Sequence, residues 1–291
     1  MKRKIKCFCL LLLFFVGSVQ IDAQEKNFTT EDYSKMSTTE LDTAFVVAVR
    51  GHRSKKVEEL IQAGANVNTP IPYVWTAGDC DWNIESSALI YAIRHNCPGM
   101  VRALIKVEEN CNEALETAIL TSSSDVVEEI IKEGADINYV NKNGNNPLII
   151  AIQRGNRKII QALIKEGANV NHVNEYSGKT ALMLAVEKHA LSTVLTLLEI
   201  PEMTTGSLFG FGTKPINYAD NDGNTALILA IKSIRYTYFD KRGHNICVNS
   251  QKILETLLET PGIDLYHINK NGETAVTLLE ELNKKMDGYP Y

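Results

Sequence analysis

Gly134-Ala135-Asp136-Ile137-Asn138 returns 33 residues on as Gly167-Ala168-Asn169-Val170-Asn171, and an earlier copy stands at Gly64-Ala65-Asn66-Val67-Asn68. A second phrase alternates with the first. Asn146-Pro147-Leu148-Ile149-Ile150-Ala151 is echoed by Thr180-Ala181-Leu182-Met183-Leu184-Ala185 and by Thr225-Ala226-Leu227-Ile228-Leu229-Ala230. A glycine turn precedes each of these, at Gly144, Gly178 and Gly223, and Gly272 stands likewise before Thr274-Ala275. Self-similarity at this period means a stack of small units, none of which buries its apolar face alone. Each unit reads as two short antiparallel helices. The small residue of the first helix allows close approach of the next unit. The glycine after the second helix permits a left-handed stop. The Gly-x-Thr turn caps the following helix with a hydroxyl.

These two phrases, in this order and at this period, resemble the ankyrin repeat family, whose unit is about 33 residues with a T-P-L-H-x-A start and a G-A-x-x-N end. The resemblance covers roughly residues 38–287. It implies an all-α solenoid of helix-turn-helix repeats with hairpin-like fingers. One departure runs throughout: the family's His is replaced by Ile149, Met183, Ile228 and Thr277. That His commonly bonds neighbouring repeats, so apolar packing is expected to serve here.

Aligned on the small residue, the units are Ala48, Ala92, Ala118, Ala151, Ala185 and Ala230. In the first five the second helix ends 16 residues later, at Gly64, Glu108, Gly134, Gly167 and Pro201, and in the sixth 31 residues later, at Pro261. An insertion near 235–249 between the two helices of unit six is therefore expected. Fingers are enlarged at 69–86 and 201–217, and the finger between units two and three is nearly deleted. A half-length unit at 274–287 reads as the terminal cap. Long loops in a compact array are usually functional or disordered.

The N-terminal residues differ in kind. Lys2, Arg3, Lys4 and Lys6 precede an uncharged, mostly apolar run from Cys7 to Val19. A basic head, a short apolar run and a small residue at its polar end describe a secretory signal peptide. Such a run spans about 20 Å, short of a roughly 30 Å hydrocarbon core. Cleavage is expected after Ala23, with Ser18 as the second choice. The expected organisation is thus a signal peptide (1–23), a flexible leader (24–37), one repeat domain (38–287) and a tail (288–291). A periplasmic or secreted, soluble product follows from that reading. The capping box Ser37-Thr38-Thr39-Glu40 starts the first helix.

The chain carries 30 Lys and Arg against 35 Asp and Glu, a net charge of −5. Losing residues 1–23 leaves 26 against 34, or −8. Such a balance repels phosphate backbones, so nucleic acid is not an expected partner. Gly178-Lys179-Thr180 is not a phosphate-binding loop, because position 173 is Val where that loop needs Gly. Gly206–Gly212 is glycine-rich but opens no helix as a dinucleotide fingerprint would. His52, His95, His172, His189, His244 and His267 show no metal spacing. His172 and His267 fall in fingers and read as solvated; His52 and His189 fall at turns between helices. No metal or cofactor is expected. Glu128-Glu129 and Glu280-Glu281 read as solvated helix faces.

Four cysteines follow the signal: Cys80, Cys97, Cys111 and Cys247. An oxidising compartment allows a bridge; if one forms, Cys80 with Cys111 is the expected pair, while four free thiols is the commoner outcome for the fold that the resemblance implies. Cys111 aligns with Val67 and Val170 and reads as a small core residue.

Ankyrin-type arrays usually bind proteins through the concave face made by fingers and first helices. The resemblance therefore implies a non-catalytic, monomeric module for a protein partner. The candidate contact residues are Tyr73, Trp75, Trp82, Tyr139, His172, Tyr176, Phe209, Phe211 and Tyr218. Both tryptophans of the chain lie in the first long finger, and Trp and Tyr are favoured at interface hot spots. The alternative is an enzyme or ligand-binding protein built on the inserted segments 69–86, 201–217 and 235–249. No local catalytic motif supports it.

Overall fold

The computed structural model describes residues 33–74, 83–107, 111–121, 123–205, 214–239 and 244–287. Their packing forms two compact units, one up to Ala135 and one from Asp136 onward.

The first unit holds three helix pairs: α1 (Thr38–Arg50) with α2 (Ser54–Gln62), α3 (Ala88–Arg94) with α4 (Pro98–Ile105), and α5 (Cys111–Leu120) with α6 (Ser124–Lys132). First helices pack on first helices and second on second: α1 on α3 on α5, and α2 on α4 on α6. Ala48, Ala92 and Ala118 are all buried where these layers meet. The capping box forms as the sequence predicts, with Ser37 and Glu40 satisfying each other's backbone N–H. The enlarged finger contains an antiparallel hairpin, β1 (Ile71–Val74) and β2 (Asn83–Ser86), paired Ile71 to Ser86. These are the only strands among the described residues.

The second unit repeats the arrangement with α7 (Pro147–Arg154) and α8 (Arg157–Lys165), α9 (Ala181–Glu187) and α10 (Leu191–Leu198), and α12 (Ala226–Phe239) and α13 (His244–Glu259). A short helix α11 (Pro201–Thr205) and a 3-10 turn (Pro215–Asn217) precede α12. The closing helix α14 (Ala275–Asp287) packs on α12, in the place predicted for the cap. Ala151, Ala185 and Ala230 are buried as expected. Asn146, Thr180 and Thr225 each accept the backbone N–H three residues on and so start α7, α9 and α12.

Four expectations are corrected here. Of the extra residues, 235–239 and 244–249 are helical and lengthen α12 to 14 residues and α13 to 16, where the other pairs of this unit have 7 to 9. Ile234 is buried and the apolar period carries on past it, so helix continues. Cys111 does not take the place of Val67 and Val170. It is the first residue of α5 and half-buried, because the shortened connection brings the next helix forward. The leader is packed at its end, with Tyr33 only 2% exposed. Glu129 is not solvated: it is buried and held by Arg102 of α4. That guanidinium keeps the Glu129 carboxyl below its ordinary range.

In four repeats the inter-helix turn holds a left-handed residue four positions after the small alanine. Gly155 supplies it in one repeat, but His52, Asn96 and His189 occupy it elsewhere, at φ 56°, 52° and 52°. His189 Nδ1 lies 2.8 Å from Ser250 Oγ of α13, and burial lowers the pKa of the ring.

Candidate protein-binding surface

The fingers of the second unit are built by one device used four times. Asn141, Asn174, Asp220 and Asn269 each fold their side-chain oxygen back onto backbone N–H groups two to four residues ahead. The distances are 2.9 and 3.1 Å for Asn141, 3.0 and 2.9 Å for Asn174, 3.0 and 2.7 Å for Asp220, and 3.0 and 2.9 Å for Asn269. Such Asx turns fix a reversal without a full strand pair. A glycine at φ +69° to +77° closes each one, at Gly144, Gly178, Gly223 and Gly272.

Successive fingers are tied by polar side chains. Asn174 Nδ2 donates to Asn143 O at 2.8 Å and Asn145 Oδ1 at 2.7 Å. Asn221 Nδ2 donates to Tyr176 O, and Asn269 Nδ2 to Asn224 Oδ1. Asn146 Nδ2 reaches Asn169 O, and Asn138 Oδ1 accepts from Asn169 N. His172 Nε2 donates to Gly144 O at 2.8 Å, and His267 Nε2 to Gly223 O at 3.1 Å. A carbonyl only accepts, so both rings carry their proton on Nε2. Ile149, Met183 and Ile228, which stand where the family has His, are buried as expected, and an asparagine and histidine ladder joins the fingers in addition. His172 and His267 are not solvated but half-buried within that ladder.

Around the turn the chain alternates as an extended segment does. The position two before the Asx residue holds Tyr139, His172, Tyr218 and His267, all half-buried. The next position holds Val140, Val173, Ala219 and Ile268. Val140 is 49% exposed, Val173 38% and Ile268 66%. Tyr176 at the tip of one finger and Tyr266 in the last are 69% and 74% exposed.

Of the sequence-predicted contact residues, Tyr176 is therefore presented outward, while Tyr139, His172 and Tyr218 turn partly into the ladder. Trp75, Trp82, Phe209 and Phe211 lie outside the described residues, as does the side chain of Tyr73 on β1. Cys80 lies outside them too, so its pairing with Cys111 does. Sequence reasoning missed Val140, Val173, Tyr266 and Ile268. It favoured aromatic type, although the period-2 register relative to Asn141, Asn174 and Asn269 marks the outward residue. Among the described residues no group of three His, Cys, Asp or Glu side chains is placed to hold a metal ion. No described helix is long and apolar enough to cross a membrane.

A family model described as ankyrin repeats (3 copies) matches residues 115–206. No curated protein matches the sequence. Among solved structures, the ankyrin repeat domain of Bcl-3, a member of the IkappaB protein family, is similar over 81% of this chain and 93% of its own, at 21% identity and a TM-score of 0.56. A chain from a Bdellovibrio bacteriovorus predatory endopeptidase in complex with an immunity protein is similar over 69% of this chain and 94% of its own, at 22% identity and a TM-score of 0.50. Helix pairs, left-handed glycine stops, Asx fingers and these likenesses agree: the chain has the all-α ankyrin-repeat fold of the solenoid class, with ankyrin repeats identified at residues 115–206.

Proposed function

We propose that this chain is an exported, non-catalytic module that binds a partner protein through the finger row of its second unit. The observation that carries this reading is the exposed set Val140, Val173, Tyr176, Tyr266 and Ile268. Large apolar side chains held outward on braced turns have no role in the core below them. Their backbone is already ordered, so docking loses little conformational entropy. The ankyrin-repeat fold is typically a protein-binding scaffold, and one of the similar chains comes from a complex between two proteins. The basic head and short apolar run at residues 2–19 support export through a secretory route to the periplasm or beyond. The net negative charge favours a protein over nucleic acid. The protein acts as a monomer, without a cofactor. Tyr73, Trp75 and Trp82 of the enlarged first finger, and Phe209 and Phe211, are further candidate contact residues read from the sequence alone.

Site-specific photo-crosslinking tests the surface. A crosslinking residue at Tyr176 or Tyr266 is expected to trap one partner reproducibly, and the same residue at Lys158 on α8 is not. Equal trapping from all three positions would remove the finger row as the site. N-terminal sequencing of the exported protein is expected to begin at Gln24; an intact Met1 in the mature product would end the signal-peptide reading.

A further inference from the structure

The first unit carries a second surface of different character, which uses none of the finger residues. At the ends of α1 and α3 the last-turn positions are both arginine, Arg50 and Arg94. The same repeat position is Leu120, Gln153 and Glu187 in the next three units and Lys232 in the sixth, so two basic residues at successive units occur only in the first two repeats. The turn after Arg50 adds Arg53 and Lys55, with no acidic residue between Arg50 and Val57. Arg50, Arg53, Lys55 and Arg94 are all exposed.

Ring contacts bring the two turns together. The His52 and His95 rings meet edge to face at 5.1 Å, and His95 lies 4.2 Å from Tyr91. His52 Nδ1 is 2.9 Å from Cys97 Sγ at the start of α4. His52 holds φ 56° at this turn, a conformation that Asn96 and His189 share at the equivalent turns, each at φ 52°.

We propose that these two turns form a docking surface for an acidic segment of a partner protein, with carboxylates received by Arg50, Arg53 and Arg94 and by the imidazole edges of His52 and His95. Guanidinium forks match carboxylates in a bidentate geometry. Charge decides between an acidic peptide and a longer polyanion. Setting aside Arg50, Arg53, Lys55 and Arg94 leaves 26 Lys and Arg against 35 Asp and Glu elsewhere. A nucleic acid strand running past the patch meets a net negative protein, whereas a short acidic peptide ends within it. The nearest acids along the chain, Glu58 and Glu59, sit one turn on in α2, and Glu58 acts on Arg102.

The test is fluorescence anisotropy of a fluorescein-labelled peptide of ten glutamates against the full chain. Binding is expected at low salt, weakening at least tenfold as salt is raised to physiological strength and beyond. Arg50→Glu with Arg94→Glu is expected to weaken it at least tenfold further. Lys158→Glu with Lys165→Glu, exposed in the second unit, is expected to change it less than twofold. If the double reversal does not fold, shown by its circular dichroism, Arg50→Gln with Arg94→Gln replaces it, with at least a threefold loss. Equal affinity of wild type and the folded Arg50/Arg94 variant would overturn the proposal. So would a ten-nucleotide single strand binding as tightly as the peptide.

Discussion

Gly178 and Gly155 share a left-handed backbone but not a neighbourhood. A Cβ at Gly178 would lie 2.6 Å from Asn221 N of the next finger, whereas one at Gly155 meets nothing within 4 Å. Gly155→Ala should therefore cost only the conformational penalty, about 1 kcal/mol. Gly178→Ala adds a backbone clash that spreads the fingers, for a total of about 3 kcal/mol or more. Denaturant unfolding of both variants measures the gap, and equal losses would contradict the finger packing. Asn146 separates two roles in the same way. Its Oδ1 caps α7 through Ile149 N, and its Nδ2 reaches Asn169 O. Asn146→Thr keeps the cap and should lose about 1 kcal/mol; Asn146→Ala loses both and should cost about 2 kcal/mol. Glu129 gives a pH signature. Its hydrogen bond from Arg102 holds the carboxyl below the ordinary value of 4.5. The stabilisation is then complete above that value and is lost as pH falls through the lowered folded value. Wild-type Tm should drop more steeply below pH 4.5 than that of Glu129→Gln. Parallel curves would show that the pair contributes nothing.

At the scale of elements, the long pair α12 and α13 makes the clearest departure from regular repeats. Amides at 235–239 and 248–249 are expected to exchange slowly, as helix interiors do, and free exchange across both stretches would restore the loop reading. How far such elements can be read from sequence depends on their cause. Helix starts at Asn146, Thr180 and Thr225 and stops at Gly64, Gly134 and Gly167 were legible, because each is set by local chemistry within four residues. The helical extension was not, since a length surplus says where residues are added but not what shape they take. The ladder was also hidden. Asn174, Asn269, His172 and His267 read as ordinary finger residues until the preceding finger is set beside them, 28 to 45 residues away along the chain. The outward row was legible in principle, through alternation from the Asx residue. Aromatic type drew attention instead to Tyr139 and Tyr218, which sit one position off that row.

At the scale of the whole molecule, scaffold and surface are separate sets of residues. Buried alanines and aliphatic layers hold the repeats, the asparagine and histidine ladder sets finger spacing, and Val140, Val173, Tyr176, Tyr266 and Ile268 stand outside both. Exposed apolar residues away from the fingers provide an internal contrast, since Leu258 on α13 is 39% exposed and belongs to no finger. The most direct test of the central claim is the affinity of the crosslinked partner for three forms of the protein. Tyr266→Ala with Ile268→Asp should weaken binding by about 30-fold or more, equivalent to about 2 kcal/mol, while Leu258→Asp should stay within twofold of wild type. Undiminished binding by the finger variant, or a larger loss from Leu258→Asp, would contradict the account.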